Sequence, residues 1–402
     1  MTNRTSFTRR RFVATGAGIA AGALAAPAIV RAQGGASRAI KIGVSHPLSG
    51  VFAIVGQEFV IGAEMYLATI KSQAAGRRLE LIKEDETIQV NTGVAKACKL
   101  FERDNVDVLV GGTSSAVIYA VMPVAAEFKK PYLVSVGGGA DVTRAKNRSP
   151  YTYRMSYNIW TQAYPFGRYV AERVSKKTYV FCPDYVAGKE FADAFKAGYQ
   201  AAGGQMVGED YAPITTADFV PYLTKIAQAR PEAVYGFWGG AAGIRYIKAF
   251  DQLGLNKTIR NVLIGYTVDY DVLGQIGDAA IGTLSIHPWN QGLPFAENEK
   301  LVGEYVKKHN KLPSIYVIWG WDAMKTVALA VEKLKGDVAD GAKFAGAFAG
   351  LGYEGPRGKV LIDAKTHDVV QDLYIQETVN GPKGPINQLV ATLKEARDPF
   401  PG

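Results

Sequence analysis

Reactive side chains are sparse in this sequence, and none is spaced for catalysis. The four histidines, His46, His287, His309 and His367, stand far apart, with no H-x-x-H or H-E-x-x-H pair to grip a metal ion. No G-x-S-x-G turn presents a nucleophilic serine, and no glycine-rich loop ending in Gly-Lys-Ser/Thr would cradle a phosphate. Glu84-Asp85-Glu86 is an acidic cluster open to two readings: metal or acid–base chemistry, or a solvated loop or hinge contact. Gly16-Ala17-Gly18-Ile19-Ala20-Ala21-Gly22 mimics a dinucleotide fingerprint, but no strand precedes it. A binder is expected rather than an enzyme, with no cofactor and no metal.

The elements that would position a binding site follow a repeated β-α order. Ile40–Ser45 reads as a strand, and Phe59, Ala63, Tyr66 and Ile70 mark one face of a helix. Strands follow at Leu79–Ile82, Val106–Val110 and Tyr132–Val136, with a helix expected from about Ser115 to Phe128. The pattern restarts after Tyr151, with strands at Tyr179–Cys182, Val207–Tyr211, Val234–Trp238, Val262–Tyr266 and Ile281–Ile286. Two helical stretches, 296–309 and 316–334, precede a two-stranded excursion within 358–377. Alternation with short connections predicts an α/β fold of two doubly wound parallel sheets with helices on both faces. Such sheets bind ligands beyond the carboxyl ends of their strands, so two facing sheets would make a cleft. The turns after Val44, Val110, Val136, Cys182, Trp238 and Tyr266 are the ones to watch.

The first 32 residues read as an export signal. Thr8-Arg9-Arg10-Arg11-Phe12-Val13 is a twin-arginine pattern, an apolar run reaches Val30, and Val30-Arg31-Ala32 has the spacing of a peptidase site. Export to the periplasm with cleavage near Ala32 is expected. The formal charge of +9 then falls to +4, because Arg4, Arg9, Arg10, Arg11 and Arg31 leave with the signal. That balance, with no basic run among aromatics, argues against nucleic acid. Cys98 and Cys182 are expected as buried free thiols, a disulfide being the alternative that export allows.

At the strand-end turns the chain resembles a known family: the type I periplasmic substrate-binding proteins of ABC importers, the leucine/isoleucine/valine-binding class. The resemblance rests on Ile40-Lys-Ile-Gly-Val-Ser-His-Pro-Leu-Ser-Gly50, Val110-Gly-Gly-Thr-Ser-Ser115, Val136-Gly-Gly-Gly-Ala-Asp-Val-Thr143, Asp184-Tyr-Val-Ala-Gly188 and Tyr316-Val-Ile-Trp-Gly-Trp-Asp-Ala323. It implies two lobes, 38–156 plus 287–357 and 157–286 plus 358–395, joined by a three-crossover hinge and closing on ligand. It also implies that Ser114, with Ser115 beside it, holds a ligand carboxylate together with the amides of the following helix. A helix N-terminus suits that task through free N–H groups and a positive dipole end, although a serine there also simply caps the helix. Gly137 and Gly138 would let the backbone approach the ligand.

The departures from the family's pattern point away from amino acids. Where amino-acid binders carry a threonine this chain has Gly138, and where they carry a glutamate it reads Gly265-Tyr266-Thr267, with no acid until Asp269. A buried ammonium without a partner is costly. Val55 stands where a tyrosine is expected. Phe52, Tyr185, Phe237, Trp238 and Tyr266 sit at cleft-facing strand ends, and aromatic walls with one anion anchor suit a flat aromatic acid. Tyr157 and Trp289 are weaker candidates. Gly355-Pro-Arg-Gly358 and Val369–Ile375 resemble the aromatic-acid branch of the family. The expectation is a monomeric receptor that delivers a small carboxylate, benzoate- or cinnamate-like, to ABC permease subunits in the membrane. A branched-chain amino acid or amide receptor is the alternative, then a sensor feeding a regulator, then a periplasmic enzyme.

Overall fold

A computed structural model describes residues 38–401; the expected signal segment lies outside them. The first half of the chain runs β1 (Ile40–His46), α1 (Ala53–Thr69), β2 (Gln73–Ala74), β3 (Arg77–Asp85), α2 (Val90–Glu102), β4 (Val108–Gly111), α3 (Ser115–Glu127), β5 (Tyr132–Val134) and β6 (Thr152–Arg154). These strands form one sheet in the order β2-β3-β1-β4-β5-β6, parallel except for the β2–β3 hairpin. Ile40, Ile42 and Val44 of β1 are buried, as a central strand covered on both faces requires.

The chain then builds a second sheet from β7 (Lys177–Pro183), β8 (Gln205–Ala212), β9 (Ala233–Gly236), β10 (Arg260–Ile264) and β11 (Leu284–His287). Its helices are α4 (Ile159–Arg173), α5 (Val186–Ala201), α6 (Val220–Gln228), α7 (Gly240–Gln252) and α8 (Leu273–Ile276). Next come α9 (Ala296–His309), α10 (Ile315–Lys333) and α11 (Gly341–Ala347), of which α10 packs on α1 of the first half. That approach is close: a Cβ at Gly62 would lie 1.8 Å from the carbonyl oxygen of Val317, and one at Gly320 would lie 2.0 Å from that of Phe59. Only glycine fits at both points.

β12 (Gly352–Gly355), β13 (Gly358–Ile362), β14 (Val369–Gly381) and β15 (Gly384–Ala396) complete the second sheet, with β14 antiparallel to β11. The chain therefore crosses between sheets three times, after β6, after β11 and before β12. The expected third boundary at 357 falls too late, because β12 already pairs with β13 from Gly352 onward. β15 escapes sequence reading because it is an edge strand with a single buried residue and little alternation. Buried Arg357 ties the crossings together. Its Nε donates to Asp322 on α10 at 2.6 Å, and its Nη1 donates to the carbonyl of Ser156 at 2.9 Å. Cys98 and Cys182 are both free, Cys182 buried as expected but Cys98 only half-buried, because it lies off the buried face of α2. Among the described residues no helix is long and apolar enough to cross a membrane.

Candidate functional site

A cavity of about 190 Å³ lies where the carboxyl ends of the two sheets meet. From the first half it is lined by Phe52, Ile54 and Val55 at the start of α1, and by Ile88. Thr113, Ser114 and Ser115 between β4 and α3, Val136 and Gly138 after β5, and Tyr316 and Trp319 on the first turn of α10 complete that wall. From the second half come Tyr185 and Ala187 after β7, Ile214 after β8, Phe237, Gly239 and Gly240 after β9, and Tyr266 and Asp271 after β10. Tyr157, on the first crossover, reaches in between.

The serine end presents the open start of a helix to the cavity. Ser114 is the N-cap of α3 in extended conformation, yet its hydroxyl caps nothing, so no side chain covers the first N–H groups of the helix. Thr113 is held from behind. Its backbone N–H donates to Glu86 Oε1 at 2.9 Å, and its hydroxyl lies 2.9 Å from Nδ1 of His46. Nε2 of His46 in turn meets the Ser135 hydroxyl at 3.0 Å. Burial pushes the imidazole of His46 down to about 3 and the carboxyl of Glu86 up to about 8, against the hydrogen bonds from Thr113 and Ser45.

The Glu84-Asp85-Glu86 cluster therefore does not converge. Glu84 pairs with Lys96 and Lys99, Asp85 accepts the N–H groups of Leu48 and Thr87, and only Glu86 turns inward. A carboxyl raised from its ordinary 4.5 to about 8 on folding favours the fold fully below pH 4.5 and loses that contribution as pH rises through 8. Glu86→Gln is expected to melt progressively higher relative to the parent as the pH is raised from 5 to 9. A pH-independent difference between the two melting curves would show that Glu86 carries no proton in the fold.

A cluster of rings from both halves also lines the cavity. Tyr157 stacks on Trp319 at 5.5 Å between centroids and 9° between planes, Tyr266 lies 5.1 Å from Tyr157, and Phe237 stands edge-on to Tyr266 at 6.2 Å. The Tyr266 hydroxyl accepts from Gln162 Nε2 at 2.8 Å, which fixes the ring. Gly138 makes room for the cage, because a Cβ there would sit 2.2 Å from Cε2 of Tyr157.

Of the residues expected from sequence, Phe52, Val55, Ser114, Ser115, Gly138, Tyr185, Phe237 and Tyr266 meet in this cavity. Gly137, Trp238 and Thr267 do not line it. Gly137 spends its N–H on the Gly112 carbonyl at 2.8 Å. Trp238 lies one residue past the cavity-facing Phe237 and is fully buried in the second-half core, its Nε1 donating to the Phe181 carbonyl at 3.1 Å. Thr267 turns down beneath it and accepts the Trp238 N–H at 3.0 Å. Trp289 is likewise a core residue, donating to Asn298 at 2.7 Å.

Asp269 is also withdrawn, 2% exposed and accepting the Ile315 N–H at 2.8 Å. Asp271 instead faces the cavity, with a buried Oδ1 that has no hydrogen-bond partner. Burial raises its carboxyl well above the usual range, and the like charges of Asp269 and Glu58 add to the rise. Among the described lining residues it is the one Asp or Glu, and no Lys, Arg or His lines the cavity. The expectation of a grip with no acid is thus corrected. Nothing in the sequence marks Asp271, whereas Tyr316 and Trp319, three apart at a helix start, share a face that the spacing could reveal.

The family described as periplasmic binding protein matches residues 39–383. A Leu/Ile/Val-binding protein homolog of Brucella melitensis is 27% identical over 367 residues, covering 90% of this chain and 93% of the relative. A solute-binding protein of an ABC transporter from Rhodopseudomonas palustris BisB5, solved with 3,4-dihydroxybenzoic acid, superposes with a TM-score of 0.85 at 29% identity, covering 90% of this chain and 99% of the other. A second R. palustris solute-binding protein, solved with 4-hydroxybenzoate, gives 0.84 at 26% identity, covering 90% and 98%.

Proposed function

We propose that this chain, which belongs to the periplasmic binding protein family, captures a small aromatic carboxylate for an ABC importer. Solute-binding proteins of this family take small molecules and work with permease subunits. The reading carried here is finer: a benzoate-like acid enters carboxylate first against the α3 N-terminus, its ring lying on Tyr157, Tyr266, Trp319 and Phe237. The observation that carries it is that one cavity holds both that ring cluster and the uncapped N–H groups at the start of α3. Relatives solved with hydroxylated benzoates support it. Export on the twin-arginine signal with cleavage near Ala32, a monomeric state, and closure of the two lobes on ligand complete the proposal.

A second reading, a branched-chain amino acid receptor, is favoured by one observation. The unpartnered Asp271 carboxyl could hold an ammonium group, and curated relatives carry Leu/Ile/Val-binding names. Thermal shift and calorimetry with benzoate, 4-hydroxybenzoate, cinnamate, leucine and valine separate the two. Aromatic acids are expected to stabilise the fold by about 2.7 kcal/mol at a hundredfold excess over Kd, with no response to leucine or valine. Asp271→Asn is expected to leave benzoate binding intact. Stabilisation by leucine that disappears in Asp271→Asn, with none by the aromatic acids, replaces the first reading by the second.

A further inference from the structure

Two hydrogen bonds cross the cleft without belonging to the cavity. Glu190, the fifth residue of α5 in the second half, accepts the backbone N–H of Ala140 in the first half at 2.8 Å. Asp269, after β10 in the second half, accepts the N–H of Ile315, the residue that opens α10 in the first half, at 2.8 Å. None of these four residues lines the cavity. Each donor is main chain, fixed by the element that carries it. Each acceptor is a carboxylate from the facing half, so both bonds exist only while the halves are together.

We propose that Glu190 and Asp269 form a two-point latch that biases the protein towards its closed form before any ligand arrives. The chemistry around each carboxylate fits that role. Glu190 faces Arg154 and Arg144, which favour its charge, and Asp141, which opposes it, with Tyr119 and Tyr157 nearby. Asp269 faces Lys311, with Glu58 and Asp271 of like sign; His287 Nε2 stands 4.0 Å away and is held neutral by burial. Tyr266, Tyr270 and Tyr316 lie near enough for its charge to raise their phenols further, beyond the larger effect of burial. Burial raises both carboxyls to about 7 in the closed form, so the gain on closure is the modest net value of one ordinary hydrogen bond, about tenfold in the closed-to-open ratio for each. A receptor with a larger closed fraction binds ligand more tightly by that fraction, and opens to release it correspondingly less often.

The latch holds whatever the ligand, so its test begins without one. Small-angle scattering of the ligand-free protein is compared for the parent, Glu190→Ala/Asp269→Ala and Glu190→Gln/Asp269→Asn, with circular dichroism confirming the fold. The alanine pair is expected to show a larger radius of gyration than the parent. The amide pair, which keeps an acceptor oxygen at each point, is expected to stay close to the parent. An unchanged radius in the folded alanine pair overturns the proposal. Should that pair fail to fold, Glu190→Ala alone gives the same readout, since Glu190 is only half-buried. Titration with 4-hydroxybenzoate is then expected to weaken in proportion to the fall in closed fraction that scattering reads, with about tenfold for each bond removed as the upper bound. Parent protein that fails to bind 4-hydroxybenzoate would count against the aromatic-acid reading, while the ligand-free scattering still decides the latch.

Discussion

Trp238→Ala is expected to destabilise the protein by about 3–5 kcal/mol, while the folded fraction keeps most of its ligand affinity. The indole is fully buried, packed 4.8 Å from Phe181 and edge-on to Phe219 at 4.9 Å, with Tyr246 at 5.9 Å. Truncation leaves a cavity among rings that cannot collapse, and strands the Phe181 carbonyl that its Nε1 now satisfies. Phe237→Ala is the contrasting variant. Its ring lines the cavity, so affinity should fall with a smaller loss of stability. Urea denaturation and calorimetry on the two variants distinguish the roles. Lost binding in Trp238→Ala at an unchanged urea midpoint would place that indole in the cavity after all. This reverses what strand-end position alone suggests, and the reason is a single step along the chain.

Gly138→Thr is expected to abolish aromatic-acid binding and to cost about 1–3 kcal/mol of stability. A Cβ at this position would meet Cε2 and Cζ of Tyr157 at 2.2 and 2.5 Å, so the ring must leave its stack on Trp319. The cage would lose its central wall. Backbone conformation is not the obstacle, because Gly138 is absent from the positive-φ glycines. Pairing Gly138→Ala with Tyr157→Ala removes the clash. The double variant should be more stable than the sum of the two single changes predicts, a coupling expected only between residues in contact. Strict additivity of the three denaturation midpoints would mean that Gly138 and Tyr157 do not compete for space. The same contact explains why a threonine, expected there in amino-acid binders, has no room in this chain.

Much of the architecture is legible without coordinates. The spacing of Phe59, Ala63 and Tyr66 marks the buried face of α1, and the expected helix over 296–309 coincides with α9. The run Val106–Val110 announces a central strand because both faces of that strand are covered. β12 and β15 are not legible, since a short strand and an edge strand with a single buried residue carry little hydrophobic alternation. Ser114 and Ser115 are legible as the start of a helix after a buried strand, which places them at the ligand side of the sheet. Glu86 is not. Its two acidic neighbours face outward, and only the fold shows that it turns in to hold Thr113.

By itself the sequence determined the order of strands and helices and the edge of each sheet at which a ligand must lie, because hydrophobic period and strand direction are local properties. Which residue of each turn faces the cavity was decided only by tertiary structure: Phe237 over Trp238, Tyr266 over Thr267, Asp271 over Asp269. A turn has no repeating period to read. The direction of each side chain there is set by the packing around it: Trp238 and Thr267 turn into the second-half core, and Asp269 turns to the Ile315 N–H.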